Sequence, residues 1–92
     1  MGKGNGYVTV EELALRYIQK TECAFKELKT VQGFVSPDAD SVREVIEEAR
    51  RYLDDAKYYL EKKRFETSLA SIAYCEGLLD ALRMLGFVEF SW

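Results

Sequence analysis

Histidine is absent from this 92-residue chain, and proline occurs once, at Pro37. Without histidine the chain lacks the commonest general base and the commonest metal ligand. Cysteine is scarce. Cys23 and Cys75 lie far apart, whereas metal sites and redox pairs use close spacings such as Cys-x-x-Cys. Two free thiols in a reducing cytoplasm are expected. There is no basic excess either, the net charge being −3. Nucleic acid is therefore not an expected partner, because counterion release by surplus Lys and Arg supplies most of that affinity. No apolar run approaches the roughly 18 residues that a membrane span needs. No hydrophobic stretch follows Lys3, so no secretory leader is expected. Neither GxxxxGK[ST] nor GxGxxG occurs, which removes the common phosphate cradles. These absences leave no catalytic constellation, no metal centre and no cofactor motif. They predict a cytoplasmic chain that is not an enzyme.

What is present is a globular mixture, with 48% apolar and 32% charged residues. The length suits one domain with a modest core. Residues 1–8 carry three glycines and are expected to form a loose arm. Thr9 and Glu12 have capping-box spacing. Behind them Leu13, Ala14, Tyr17, Ile18, Ala24, Phe25, Leu28 and Val31 share one side of a helical wheel. Gly33 suits the end of that helix. Cys23 falls on the polar side. A linker runs from Gly33 to Asp40. Asp40 or Ser41 is the expected cap of a second helix, with Ser41 and Glu44 as its capping box. Val42, Val45, Ile46, Ala49, Tyr52, Leu53, Ala56 and Leu60 form its apolar stripe.

No glycine or proline separates the second helix from the third. One long unbroken helix is the rival reading, and phase argues for a break. A straight continuation would place Phe65, Leu69, Ile72, Cys75 and Leu79 on the polar side. A turn at Lys62–Arg64 restores a common core, and Gly86 then ends the third helix. The fold expected is all-α: an antiparallel three-helix bundle spanning residues 9–92. Its helices cover about 10–32, 41–62 and 65–85, and a short apolar tail follows them.

Two groups of residues are candidates for function. The third helix has a second apolar side, formed by Ala70, Tyr74, Gly77, Leu78, Ala81 and Leu85. Within it Ala73, Gly77 and Ala81 recur every four residues. Gly77 costs a helix about 1 kcal/mol relative to alanine. Close packing of another helix would offset that cost. Either the first two helices cover this side, or a second chain does. Phe90 and Trp92 in the tail are too large to leave in water without reason. They fold back on the bundle or dock on a partner. The interface candidates are accordingly Ala73, Gly77, Ala81, Phe90 and Trp92. The second group is Glu76, Asp80 and Arg83, adjacent by helical spacing, together with Tyr74. Paired carboxylates can act as general acid and base or bind a hard cation, although an Asp80–Arg83 ion pair at the core's edge accounts for them more simply. The basic corner Lys57, Lys62, Lys63 and Arg64 reads as a solvated helix end.

The stretch from Ala56 to Gly86 resembles the C-terminal half of a short archaeal family, domain of unknown function 357. Ala73-Tyr74-Cys75-Glu76-Gly77-Leu78-Leu79-Asp80-Ala81 is similar to that family's Ala-Tyr-x-x-Gly-x-Leu-Asp-Ala pattern. The resemblance implies a three-helix bundle of archaeal, cytoplasmic origin with no assigned activity, and it emphasises Tyr74, Gly77 and Asp80. Some relatives are linked to a nucleotidyltransferase-like domain, which implies an accessory role beside such a partner. The leading expectation is a helical interaction module that binds a second copy, as a dimer, or another protein. The alternative is an accessory domain that binds a small ligand or cation near Tyr74, Glu76 and Asp80.

Overall fold

The computed structural model describes residues 8–31 and 39–92. Three helices make up most of it: α1 (Val10–Glu27), α2 (Ala39–Glu61) and α3 (Phe65–Met84). Two-residue strands follow α1 and α3, β1 at Lys29–Thr30 and β2 at Val88–Glu89. They pair antiparallel, Lys29 opposite Glu89 and Thr30 opposite Val88. α1 and α3 therefore end at the same pole of the bundle. With α2 running back between them, the path is up, down, up.

The start of α1 follows the capping box. The Glu12 amide donates to Thr9 Oγ1 at 3.1 Å, and the Thr9 amide donates to the Glu12 carboxylate at 2.9 Å. Its end departs from expectation. The helix stops at Glu27, and Leu28 is extended at φ −60°, ψ 129°. No breaker lies there in the sequence. The strand pairing competes for the backbone, extended by the Val31 amide donating to the Phe87 carbonyl at 3.0 Å. A tertiary ladder has overridden a local helical pattern. Gly33, Pro37 and residues 1–7 of the expected arm lie outside the described residues.

α2 is already helical at Ala39, so Asp40 and Ser41 sit inside it and neither caps it. Asp40 instead accepts a 2.9 Å bond from Arg43. The expected stripe faces inward, with Ile46, Ala49, Leu53 and Ala56 buried. The turn falls at Lys62–Arg64, as phase requires. The Lys63 amide donates to Leu60, and the Arg64 amide donates to Tyr59. Lys63 is left-handed at φ 63°. This pair of bonds around a left-handed residue is a Schellman motif, made without glycine. α3 ends in the same motif around Gly86, at φ 85°, with Phe87 donating to Leu82.

The core lies where the three stripes meet. Ile18, Ala49, Leu53, Ala56, Ile72, Cys75 and Leu79 form its centre. A smaller cluster of Ile46, Leu82 and Val88 fills the pole beneath the strands. Each large aliphatic side chain buried there contributes roughly 1.5–3 kcal/mol. Near the opposite pole Ser68 Oγ donates to the Ala56 carbonyl at 2.7 Å in a buried bond that ties α3 to α2. Among the described residues no helix is long and apolar enough to cross a membrane.

Candidate functional site

α3 carries apolar residues on two sides, and the bundle uses only one. Ser68, Ile72, Cys75, Leu79 and Leu82 point inward and are buried. Ala70, Ala73, Tyr74, Gly77 and Ala81 are exposed. At about 100° per residue, Ala70, Gly77 and Met84 lie almost in line, with Ala73 and Ala81 to either side. A Cβ built on Gly77 meets nothing within 4 Å. The glycine therefore accommodates no crossing inside this chain. α1 and α2 pack along α3 but leave this row uncovered, so the first explanation offered for the row does not hold. Leu78 does not belong to the open row, because it packs against the core. Met84 and Leu85 close the row at its C-terminal end and are 77% and 66% exposed. Sequence reasoning missed Met84. The available signal was its position two helical turns beyond Gly77.

The tail folds back. Phe90 is half-buried against both core clusters. It meets Trp92 edge to face, with ring centres 4.8 Å apart. Trp92 Nε1 donates to Asp80 Oδ1 at 3.1 Å. The Arg83 guanidinium donates to the same oxygen at 2.6 Å. Arg83 first, and then the indole, holds the Asp80 carboxyl below the usual carboxylate range. Lys20 of α1 completes the arrangement. Its ammonium lies 4.9 Å from the ring centres of both Tyr17 and Trp92. It also forms an ion pair with Glu76 at 3.1 Å. The expected Asp80–Arg83 pair is thus present, enlarged by an indole. Solvent-screened pairs of this kind contribute little to stability. They orient Trp92 more than they stabilise the bundle.

Tyr74 is not part of this group. It stacks on Tyr52 of α2, with ring centres 4.4 Å apart and planes at 24°. Glu76, Asp80 and Arg83 instead gather with α1 and the tail. The four residues proposed for a ligand or cation are therefore divided between two flanks of α3. Among the described residues no three His, Cys, Asp or Glu side chains gather as a metal centre would require. Each carboxylate of the pair already faces a cation of its own chain. At the basic corner Lys57 is paired with Glu22 at 2.7 Å, and Lys62 and Arg64 lie over Tyr58 and Tyr59. Cys23 is exposed and Cys75 is buried, both as free thiols.

The interface candidates are largely brought together. Ala73, Gly77 and Ala81 share the open row. Trp92 borders it, lining a shallow groove with Ala73, Glu76, Gly77 and Asp80. Phe90 lies behind this surface and anchors it. The result is a strip with a small-residue floor, an indole on one flank, a tyrosine on the other and two large apolar side chains at one end.

The model of one protein family, described as Protein of unknown function (DUF357), matches residues 16–88. No curated protein and no solved structure matches the chain.

Proposed function

The chain belongs to this family of unknown function, and we propose from that premise that it is a helical interaction module whose α3 outer face binds a second copy of itself. The observation that carries the reading is Gly77. It occupies the middle of a helix at a cost of about 1 kcal/mol, yet open space surrounds it within its own subunit. A helix approaching from outside would use that space. The surrounding surface suits such an approach, since exposed apolar residues gathered in one patch commonly mark an interaction site. A second copy is the occupant whose surface complements it. Isologous pairing requires one patch to supply both knobs and holes, and this face offers large Met84 and Leu85 at one end and small Ala70 and Ala73 at the other.

On this reading the isolated chain performs no chemistry of its own. It acts in the cytoplasm, where exposed Cys23 stays reduced. Light scattering coupled to size exclusion tests the proposal. A dimer that dissociates on Gly77→Leu, with the helical content of each chain unchanged, is the expected result. A strictly monomeric species at high concentration rejects it.

A further inference from the structure

We infer that Trp92 is a strap across α1 and α3, fastened by charge, which opens while Phe90 and the bundle stay in place. The inference concerns a single subunit and stands whether or not two copies associate. The two aromatic residues of the tail are held in different ways. Phe90 is half-buried against both core clusters, so apolar packing seats it. The strand pairing ends at Glu89, and Trp92 lies beyond it, 38% exposed. Its grips on the helices are polar. From α3 the Asp80 carboxylate accepts the indole N–H at 3.1 Å. From α1 the Lys20 ammonium lies 4.9 Å from the ring centre. Both holders are themselves positioned by charge, Asp80 by Arg83 and Lys20 by Glu76. Charged contacts open to solvent weaken as salt rises, because the screening length is about 10 Å at 0.1 M and about 3 Å at 1 M. The packing of Phe90 is not screened in this way. The tail thus has a seated joint at Phe90 and a releasable end at Trp92. Local opening of such an end costs less than unfolding the whole chain. Release also changes the surface. Trp92 lines the groove it shares with Ala73, Glu76, Gly77 and Asp80, and an open strap removes that wall and turns the indole to solvent.

Trp92 is the only tryptophan in the chain, so fluorescence reads the strap directly. Lifetime-corrected quenching by acrylamide, which carries no charge, measures its accessibility in dilute protein. Far-UV circular dichroism follows the helices. Asp80→Ala and Lys20→Met each cut one fastening. The parent at low salt is expected to be quenched more slowly than free N-acetyltryptophanamide. Asp80→Ala should approach the free value with its helical content unchanged, and Lys20→Met should move part of the way. Raising sodium chloride from about 0.1 M to about 1 M should shift the parent toward Asp80→Ala and leave that variant where it was. A parent-like rate in either variant would show that stacking on Phe90 seats the indole, and would overturn the inference. A parent indifferent to salt would overturn it as well. So would faster quenching accompanied by loss of helix, because the strap would then not move separately from the bundle. A parent already quenched as fast as the free compound would show that no strap is closed.

Discussion

The two sides of α3 are both apolar and have opposite fates. The inner side presents Ile72, Cys75, Leu79 and Leu82, all nearly or fully buried. The outer side presents Ala70, Ala73, Gly77, Ala81, Met84 and Leu85, all exposed. Hydropathy alone does not separate them. Size does, because the buried side is built mainly from branched side chains that fill volume, whereas the exposed side is mostly small until its last turn. A core needs volume to exclude water. A face that receives another helix needs room.

The sharpest way to break this comparison is to truncate one large residue on each side. Leu79→Ala removes a fully buried side chain, and cores of this kind lose about 2–5 kcal/mol on such a change. Met84→Ala removes a comparable volume from solvent and should shift unfolding of the single chain by no more than about 0.5 kcal/mol. Urea unfolding at concentrations low enough to hold the monomer measures both. Similar losses at the two positions would mean that the two sides do not differ in kind.

Cys75 offers a second test of the inner side. Burial pushes its thiol from an ordinary value of 9.0 up to about 12. Below the ordinary value the thiol is neutral in both folded and unfolded chains, and the contribution to stability is complete. As pH climbs from there toward the folded value, unfolded chains release the proton and folded chains retain it. Stability then falls, by roughly 1.4 kcal/mol for each pH unit per group. Denaturation followed from about pH 8 to pH 11 should show this slope, and Cys75→Ala should flatten it. A constant offset between parent and variant across that range would contradict the burial described.

On the outer side, Gly77→Ala should act in two directions at once. The added methyl meets nothing in its own chain, so the monomer should gain about 1 kcal/mol of stability from helix propensity. The dimer, if it crosses at this point, should weaken. Thermal unfolding of dilute protein and light scattering of concentrated protein read the two effects separately. A methyl that destabilises the monomer would show that Gly77 is needed within the subunit after all.

Much of this fold was legible because its signals are local. Helical periodicity located all three stripes, Thr9 and Glu12 marked the first helix start, and the phase change past Leu60 located the turn. The features that escaped depend on distant residues. Nothing between Leu28 and Val31 announces a strand. It exists because Val88 and Glu89 are held alongside by the turn at Gly86. The site divides in the same way. Helical spacing anticipated the Asp80–Arg83 pair. It could not reveal that Lys20 and Trp92 join them, nor that Tyr74 turns to α2. Whether the outer row was covered lay beyond periodicity, which shows that a side is apolar but not what stands opposite.

The C-terminal ends of α2 and α3 give the smallest and cleanest comparison. α2 and α3 finish in the same hydrogen-bond pattern, but one left-handed position holds Gly86 and the other holds Lys63. A side chain in that conformation strains against its own carbonyl by about 1–2 kcal/mol, a cost glycine avoids. Glycine in turn loses more backbone entropy on folding, worth roughly 0.5–1 kcal/mol. Lys63→Gly should therefore stabilise the chain by about 0.5 kcal/mol, the difference between the two effects. Lys63 is exposed, so no packing is lost. Gly86→Lys, the mirror substitution, should cost a similar amount. Chemical denaturation of the pair measures both changes. If Lys63→Gly destabilises instead, the left-handed turn is not what ends α2, and the break must be held by packing between α2 and α3, where the buried Ser68 bond to Ala56 lies.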